Sequence, residues 1–193
     1  MWAALGFGMA ALGGSVHARV PQDRIYVARL QGNLTADGKP VSVGSTLREG
    51  QKLVSGKNSQ AEIRFGDNAI FRIAGESEAV LARKKDAVEV RLKRGWLLSL
   101  VRPGHRYSVR TPVAVAAVRG TVFFVKVDSS DQAYVCICKG KLEVAHDGPS
   151  ESMESQHHSA RSIAKSGGKT DLTPAPMQDH SDEDVRSLEE HFR

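Results

Sequence analysis

Ala61-Glu62-Ile63-Arg64-Phe65-Gly66-Asp67-Asn68-Ala69-Ile70-Phe71-Arg72-Ile73 decides the fold class. Ala61, Ile63 and Phe65 fall on one side of an extended chain, and Glu62 and Arg64 on the other. That alternation is the period of a half-buried β-strand. Gly66-Asp67-Asn68 reads as a turn, after which residues 70–73 resume the alternation. Two strands joined by a tight turn are therefore predicted at the centre of this segment.

The same pattern spreads in both directions. Upstream, residues 25–30 alternate, and Asp37-Gly38 with Pro40 close behind is a hairpin signal, followed by Val41 and Val43 alternating with polar residues. Downstream, strands are predicted at 79–82, 88–92, 96–101, 107–110, 121–127, 133–138 and 142–145, with a charged turn over 83–86 and a polar turn over 128–132. Residues 113–118 are almost uniformly small and apolar, which predicts burial on both faces. Many short strands at regular spacing give an all-β domain, a sandwich or roll, over residues 25–147. Residues 148–178 turn polar and rich in Ser, Gly and Pro, and are expected to form a loop or mobile extension. Residues 179–193 read as a short helix, with Ser181 and Asp184 spaced for capping and Val185, Leu188 and Phe192 on one face.

At 193 residues the chain suits one compact domain with tails. Its net charge of +5 is spread out, with small groups at Arg83-Lys84-Lys85 and over 91–94 that read as solvated faces. With no recognition helix, aromatic RNA-binding motif or zinc-finger spacing, no nucleic-acid partner is expected. Residues 2–16 are apolar and uncharged, and Val16-His17-Ala18 is a small-residue cleavage pattern. Residues 1–18 are therefore read as a signal peptide cleaved after Ala18, with a periplasmic product. No Lys or Arg precedes the apolar run, and the alternative is an uncleaved membrane anchor. The apolar run is short of the ~20 residues of a spanning helix.

Gly50 through Asn68, then Thr111-Pro112 followed by residues 113–118 and Arg119-Gly120-Thr121-Val122-Phe123, and finally Gly140-Lys141-Leu142-Glu143-Val144, resemble stretches of the FecR domain. Each residue of the central motif has a physical reading. Pro112 removes a ladder donor and belongs near an edge or bend. Gly120 permits a turn or close backbone approach. Thr121 offers a hydroxyl to a nearby backbone group, and Phe123 supplies core area. Arg119 either ties down neighbouring carbonyls, the favoured reading, or binds an anion. The resemblance implies an all-β periplasmic domain. In well-known members that domain is the outer part of a membrane-spanning regulator of an iron-uptake sigma factor. This sequence has no evident room for the anti-sigma and transmembrane segments of those members, so a stand-alone exported module is expected.

Both cysteines stand together, as Cys136-Ile137-Cys138. On a strand they share a face, with Cα atoms ~6.6 Å apart and parallel Cβ vectors. That geometry disfavours a direct disulfide. His157, His158 and His180 follow, and thiolate plus imidazole suits zinc, copper or haem iron. Adjacent histidines on an extended chain face opposite ways, so one of His157 and His158 is expected to bind. A disulfide and buried or redox-active thiols remain alternatives at this point. No phosphate loop, nucleophile elbow or paired-carboxylate motif occurs, and an enzyme is not expected. Two functions stay open: a ligand- or metal-binding sensor, and an interaction module for an envelope protein partner.

Overall fold

The computed structural model describes residues 24–84 and 87–193. The expected signal peptide, residues 1–18, lies outside the described residues. In chain order the first strands are β1 (Ile25–Gln31), β2 (Leu34–Ala36), β3 (Lys39–Pro40), β4 (Thr46–Leu47) and β5 (Lys52–Ser55). There follow β6 (Gln60–Phe65), β7 (Ala69–Lys84), β8 (Ala87–Val101), β9 (Arg106–Arg110) and β10 (Val115–Val118). The last are β11 (Thr121–Ser129), β12 (Gln132–Ala145), β13 (Glu151–Ser155), β14 (Ser159–Ser166) and β15 (Lys169–Ala175), before helix α1 (Asp182–His191). The all-β class with one short C-terminal helix is as the sequence predicts.

Three long strands, β7, β8 and β12, each serve two layers. In one layer the first part of β7 pairs with β6, the last part of β8 with β11, and the first part of β12 with β11 and β14. In the other, the remainder of β7 pairs with β5, that of β8 with β9, and that of β12 with β10 and β13. One hydrophobic core lies between the layers, drawing Ile63, Phe71 and Phe123 from the first and Leu53, Val109 and Val144 from the second. Tyr107 of β9 closes the gap edge-on to Phe65 and Phe123, with ring centroids 6.1 and 5.9 Å apart.

The sequence predicts separate strands where β7 and β8 run on. The bend is absorbed inside the strands instead. β7 breaks register between Ala74 and Glu78, and Gly95 of β8 sits at φ 79°. A Cβ on Gly95 would lie 2.6 Å from Ser77 Cα, so only glycine allows the two strands to bend together here. Residues 113–118 also differ from expectation. In β10 buried and half-buried residues alternate, because one face meets the core and the other is only partly covered. Val43 lies in a loop and is 60% exposed.

The largest correction concerns residues 148–178. They form β13, β14 and β15, which extend the sheet from β12 in antiparallel register. Backbone pairing drives this, since few side chains there are buried; Met153, Ala160 and Ile163 supply the apolar contacts. Beyond them α1 begins with the predicted capping box: the Asp184 N–H donates to Ser181 Oγ at 3.2 Å and the Ser181 N–H to Asp184 Oδ2 at 3.0 Å. The helix covers the outer face of the first layer. Leu188 and Phe192 are buried there with Ile70, Leu98, Phe124 and Tyr134 in a second, smaller core. Strands β11 and β12 are thus buried on both sides. Phe123, Val125 and Ile137 face the main core, while Phe124, Cys136 and Cys138 face the second. No helix among the described residues is long and apolar enough to cross a membrane.

Candidate metal centre

Cys136 and Cys138 leave β12 on its outer face and are 0% and 4% exposed. Both are free thiols. The pairing of β12 decides what meets them. β13 ends its pairing with β12 at Gly140↔Ser155, and β14 takes up the pairing at Ile137↔Ser159. The connection over residues 156–158 must therefore turn beside Cys138. The His158 N–H donates to the Cys138 carbonyl at 3.2 Å, and His158 adopts φ 43°. This turn aims the His158 ring inward, with Nδ1 3.5 Å from Cys136 Sγ. From the other side, the segment between β15 and α1 brings His180 Nε2 to 3.5 Å from Cys138 Sγ. Ligand atoms of Cys136, Cys138, His158 and His180 all lie within 4.8 Å of one another.

These distances suit a tetrahedral ion. With metal–sulfur bonds of about 2.3 Å and metal–nitrogen bonds of about 2.0 Å, tetrahedral geometry puts sulfur about 3.5 Å from nitrogen. Both imidazoles are also oriented from behind. His158 Nε2–H donates to Asp182 Oδ1 at 2.8 Å, and His180 Nδ1–H donates to the Gln178 carbonyl at 2.8 Å. Each arrangement leaves the inward nitrogen with its lone pair facing a sulfur. The His180 ring stacks on Phe124, with centroids 4.4 Å apart and planes 11° from parallel. Tyr134 O–H donates to the Pro176 carbonyl at 2.9 Å and holds the approaching chain to β12.

The electrostatics favour one thiolate. The Cys138 thiol hydrogen bond, with the His180 and His158 imidazoles, pulls Cys136 well below the ordinary thiol range against the opposing effect of burial. Cys138 moves up, because Cys136 sits beside it and the site is buried. Burial opposes a charge on His158, but Asp182 and Cys136 outweigh it and raise its pKa.

His157 turns the other way and is 74% exposed, with Nε2 3.3 Å from Asp182 Oδ2. Of the five candidate ligands, Cys136, Cys138, His158 and His180 converge and His157 stays outside. Sequence reasoning missed Asp182, although it stands two residues after His180, and the Gln178 carbonyl carries no side-chain signal.

The other motif residues are structural. Thr111 Oγ1 accepts from the Val113 and Ala114 N–H groups at 3.3 and 3.0 Å, and closes the turn in which Pro112 is exposed. Gly120 sits at φ 93°, and a Cβ there would lie 2.5 Å from Pro103 Cα. Thr121 Oγ1 donates to the Lys141 carbonyl at 2.8 Å. Phe123 is fully buried. Arg119 corrects the expectation that it ties down carbonyls. It is exposed and its side chain has no hydrogen-bond or ion-pair partner among the described residues, because it follows β10 at an open turn.

Residues 51–143 match the family model for FecR protein. That match contains both cysteines and ends before His158 and His180. No curated protein matches the sequence. Two crystal structures of a candidate anti-sigma factor from Parabacteroides distasonis ATCC 8503, at 1.65 and 2.50 Å resolution, superimpose with a TM-score of 0.54 at 16% identity. Each superposition covers 64% of this chain, and this chain spans 59% of the length of those chains. At that identity the likeness is one of fold. The sequence match over residues 51–143 identifies a FecR domain there, and the solved structures add a likeness of fold.

Proposed function

We propose that this protein is an exported FecR-type regulatory module that binds one transition-metal ion through Cys136, Cys138, His158 and His180. The observation that carries the reading is the convergence of four soft and borderline donors, from β12, the β13–β14 turn and the segment before α1, within 4.8 Å. A two-sulfur, two-nitrogen tetrahedral set selects zinc over magnesium or calcium, with copper(I) the nearest competitor. Haem fits less well, because four convergent side chains enclose a single ion rather than the edge of a macrocycle. Four protein ligands also fill a tetrahedral shell and leave no position for substrate, which supports a regulator rather than an enzyme. Ligation shields the two thiols from oxidation outside the cytoplasm.

Zinc titration of reduced, chelator-treated protein tests this. One equivalent is expected to bind at or below micromolar concentration, more weakly as pH falls because protons compete for thiolate and imidazole. Cys136→Ser with Cys138→Ser abolishes binding. Failure of the reduced wild-type protein to take up zinc or copper at micromolar concentration sinks the metal reading and leaves an envelope-interaction module as the better one.

A further inference from the structure

Beneath α1 lies a charged platform that the metal centre does not use. Glu62 of β6 and Arg72 of β7 are 1% and 3% exposed and pair at 2.7 Å. The sequence pattern points Glu62 to solvent, and the helix is what buries it. Arg72 also reaches Asp184 Oδ1 at 3.5 Å and Ser187 Oγ at 3.1 Å. His191 Nδ1 lies 2.9 Å from Glu62 Oε1. At the far end, Arg64 donates to the His191 carbonyl at 3.0 Å and Arg102 to the Phe192 carbonyl at 3.1 Å. Their guanidinium groups sit 5.0 and 4.7 Å from the Phe192 ring centroid.

We propose that α1 is a metal-latched strap, held over this platform by the ion and released when the ion is lost. The proposal rests on the metal reading above. Three observations carry it. The helix has ten residues, fewer than the ~12–15 at which isolated helices become even marginal, so it depends on docking. Its docking surface contains a buried ion pair, whose desolvation offsets much of the attraction and leaves docking finely balanced. Its N-terminal end is tied directly to the metal centre: His180 precedes the N-cap Ser181, and Asp182 accepts from His158. An ion bridging His180 to β12 fixes the helix start. Without that bridge the helix start is left to single hydrogen bonds and ion pairs such as those of Tyr134, His158 and Arg72, and the rest to its contacts with the platform. Release bares Arg64, Arg72 and Arg102 together with Glu62, a predominantly cationic face on the first layer.

Amide hydrogen exchange on the full chain tests the strap, comparing zinc-loaded with reduced, chelator-treated protein. Exchange across residues 182–192 is expected to rise about tenfold or more on zinc removal, while core amides of β7 and β8 hold, as for a locally unfolding unit. Stoichiometric zinc uptake with unchanged α1 exchange overturns the strap and leaves the metal site standing; absence of zinc uptake overturns both. Phe192→Ala provides a second test away from the ligands. If docking and binding are linked, zinc affinity falls about fivefold or more by reciprocity. Faster α1 exchange with an unchanged zinc Kd in this variant also overturns the proposal.

Discussion

Gly120 and Pro103 meet so closely that a side chain on the glycine has nowhere to go. At φ 93°, with an added Cβ 2.5 Å from Pro103 Cα, Gly120→Val combines backbone strain with a steric clash. The backbone contribution alone costs ~1–3 kcal/mol. A lower Tm and urea midpoint are expected, and a wild-type melt would show that this turn relaxes freely. The demand on Gly120 was legible in the sequence, since the residue joins two strands at a turn. The choice between His157 and His158 was not. It depends on the positive φ of His158 and on where β13 stops pairing with β12, both long-range outcomes. Single substitutions separate the two. His158→Ala and His180→Ala should weaken zinc binding severely, whereas His157→Ala should change it little. Asp182→Asn should cost about 10–100-fold through loss of imidazole orientation. Isothermal titration reads all four, and equal losses for His157→Ala and His158→Ala would contradict the inward and outward assignment.

Strands β13, β14 and β15 show how an element can escape a sequence reading. Their Ser, Gly and Pro content resembles a linker, and among their apolar side chains Met153, Ala160 and Ile163 are buried and Leu172 and Ala175 partly so. They form because β12 presents unpaired backbone on its flank, a fact about the neighbour rather than about residues 148–178. By contrast, β6 and the helix cap were legible because alternation and capping are local. Another element-level pairing carries a pH prediction. β8 and β9 run parallel, and this brings Arg110 to 3.3 Å from Glu89, which Arg91 also meets at 2.8 Å. Burial works against the Glu89 charge, but the two guanidinium groups outweigh it and hold its pKa below the ordinary 4.5. A depressed folded-state pKa stabilises the protein above the unfolded-state value, and that contribution disappears as pH falls through the folded-state pKa. Glu89→Gln should therefore be less stable than wild type at neutral pH, with the gap narrowing below about pH 4. Urea melts across pH 3 to 7 measure it. A constant gap would mean that the ion pairs contribute nothing.

At the scale of the whole molecule, the FecR sandwich and its C-terminal extension form three layers: two sheet layers around the main core, and α1 over a second core on the outside. The sandwich was legible from its many alternating strands. The outer helix and the cysteine and histidine candidates were legible too; the pairing of residues 148–178 with β12, which brings four of the five to a single point, was not. The extension, far from being a tail, returns across β12 and supplies His158 and His180, half of the candidate ligand set. Zinc should accordingly stabilise the fold by mass action, about 2.7 kcal/mol at a free concentration one hundred times Kd. The arrangement of ligands around the ion is the most direct test of this account. X-ray absorption on the zinc-loaded protein should resolve two sulfur atoms at about 2.3 Å and two nitrogen atoms at about 2.0 Å. A shell of nitrogen and oxygen with no sulfur, or zinc surrounded by water, would contradict it.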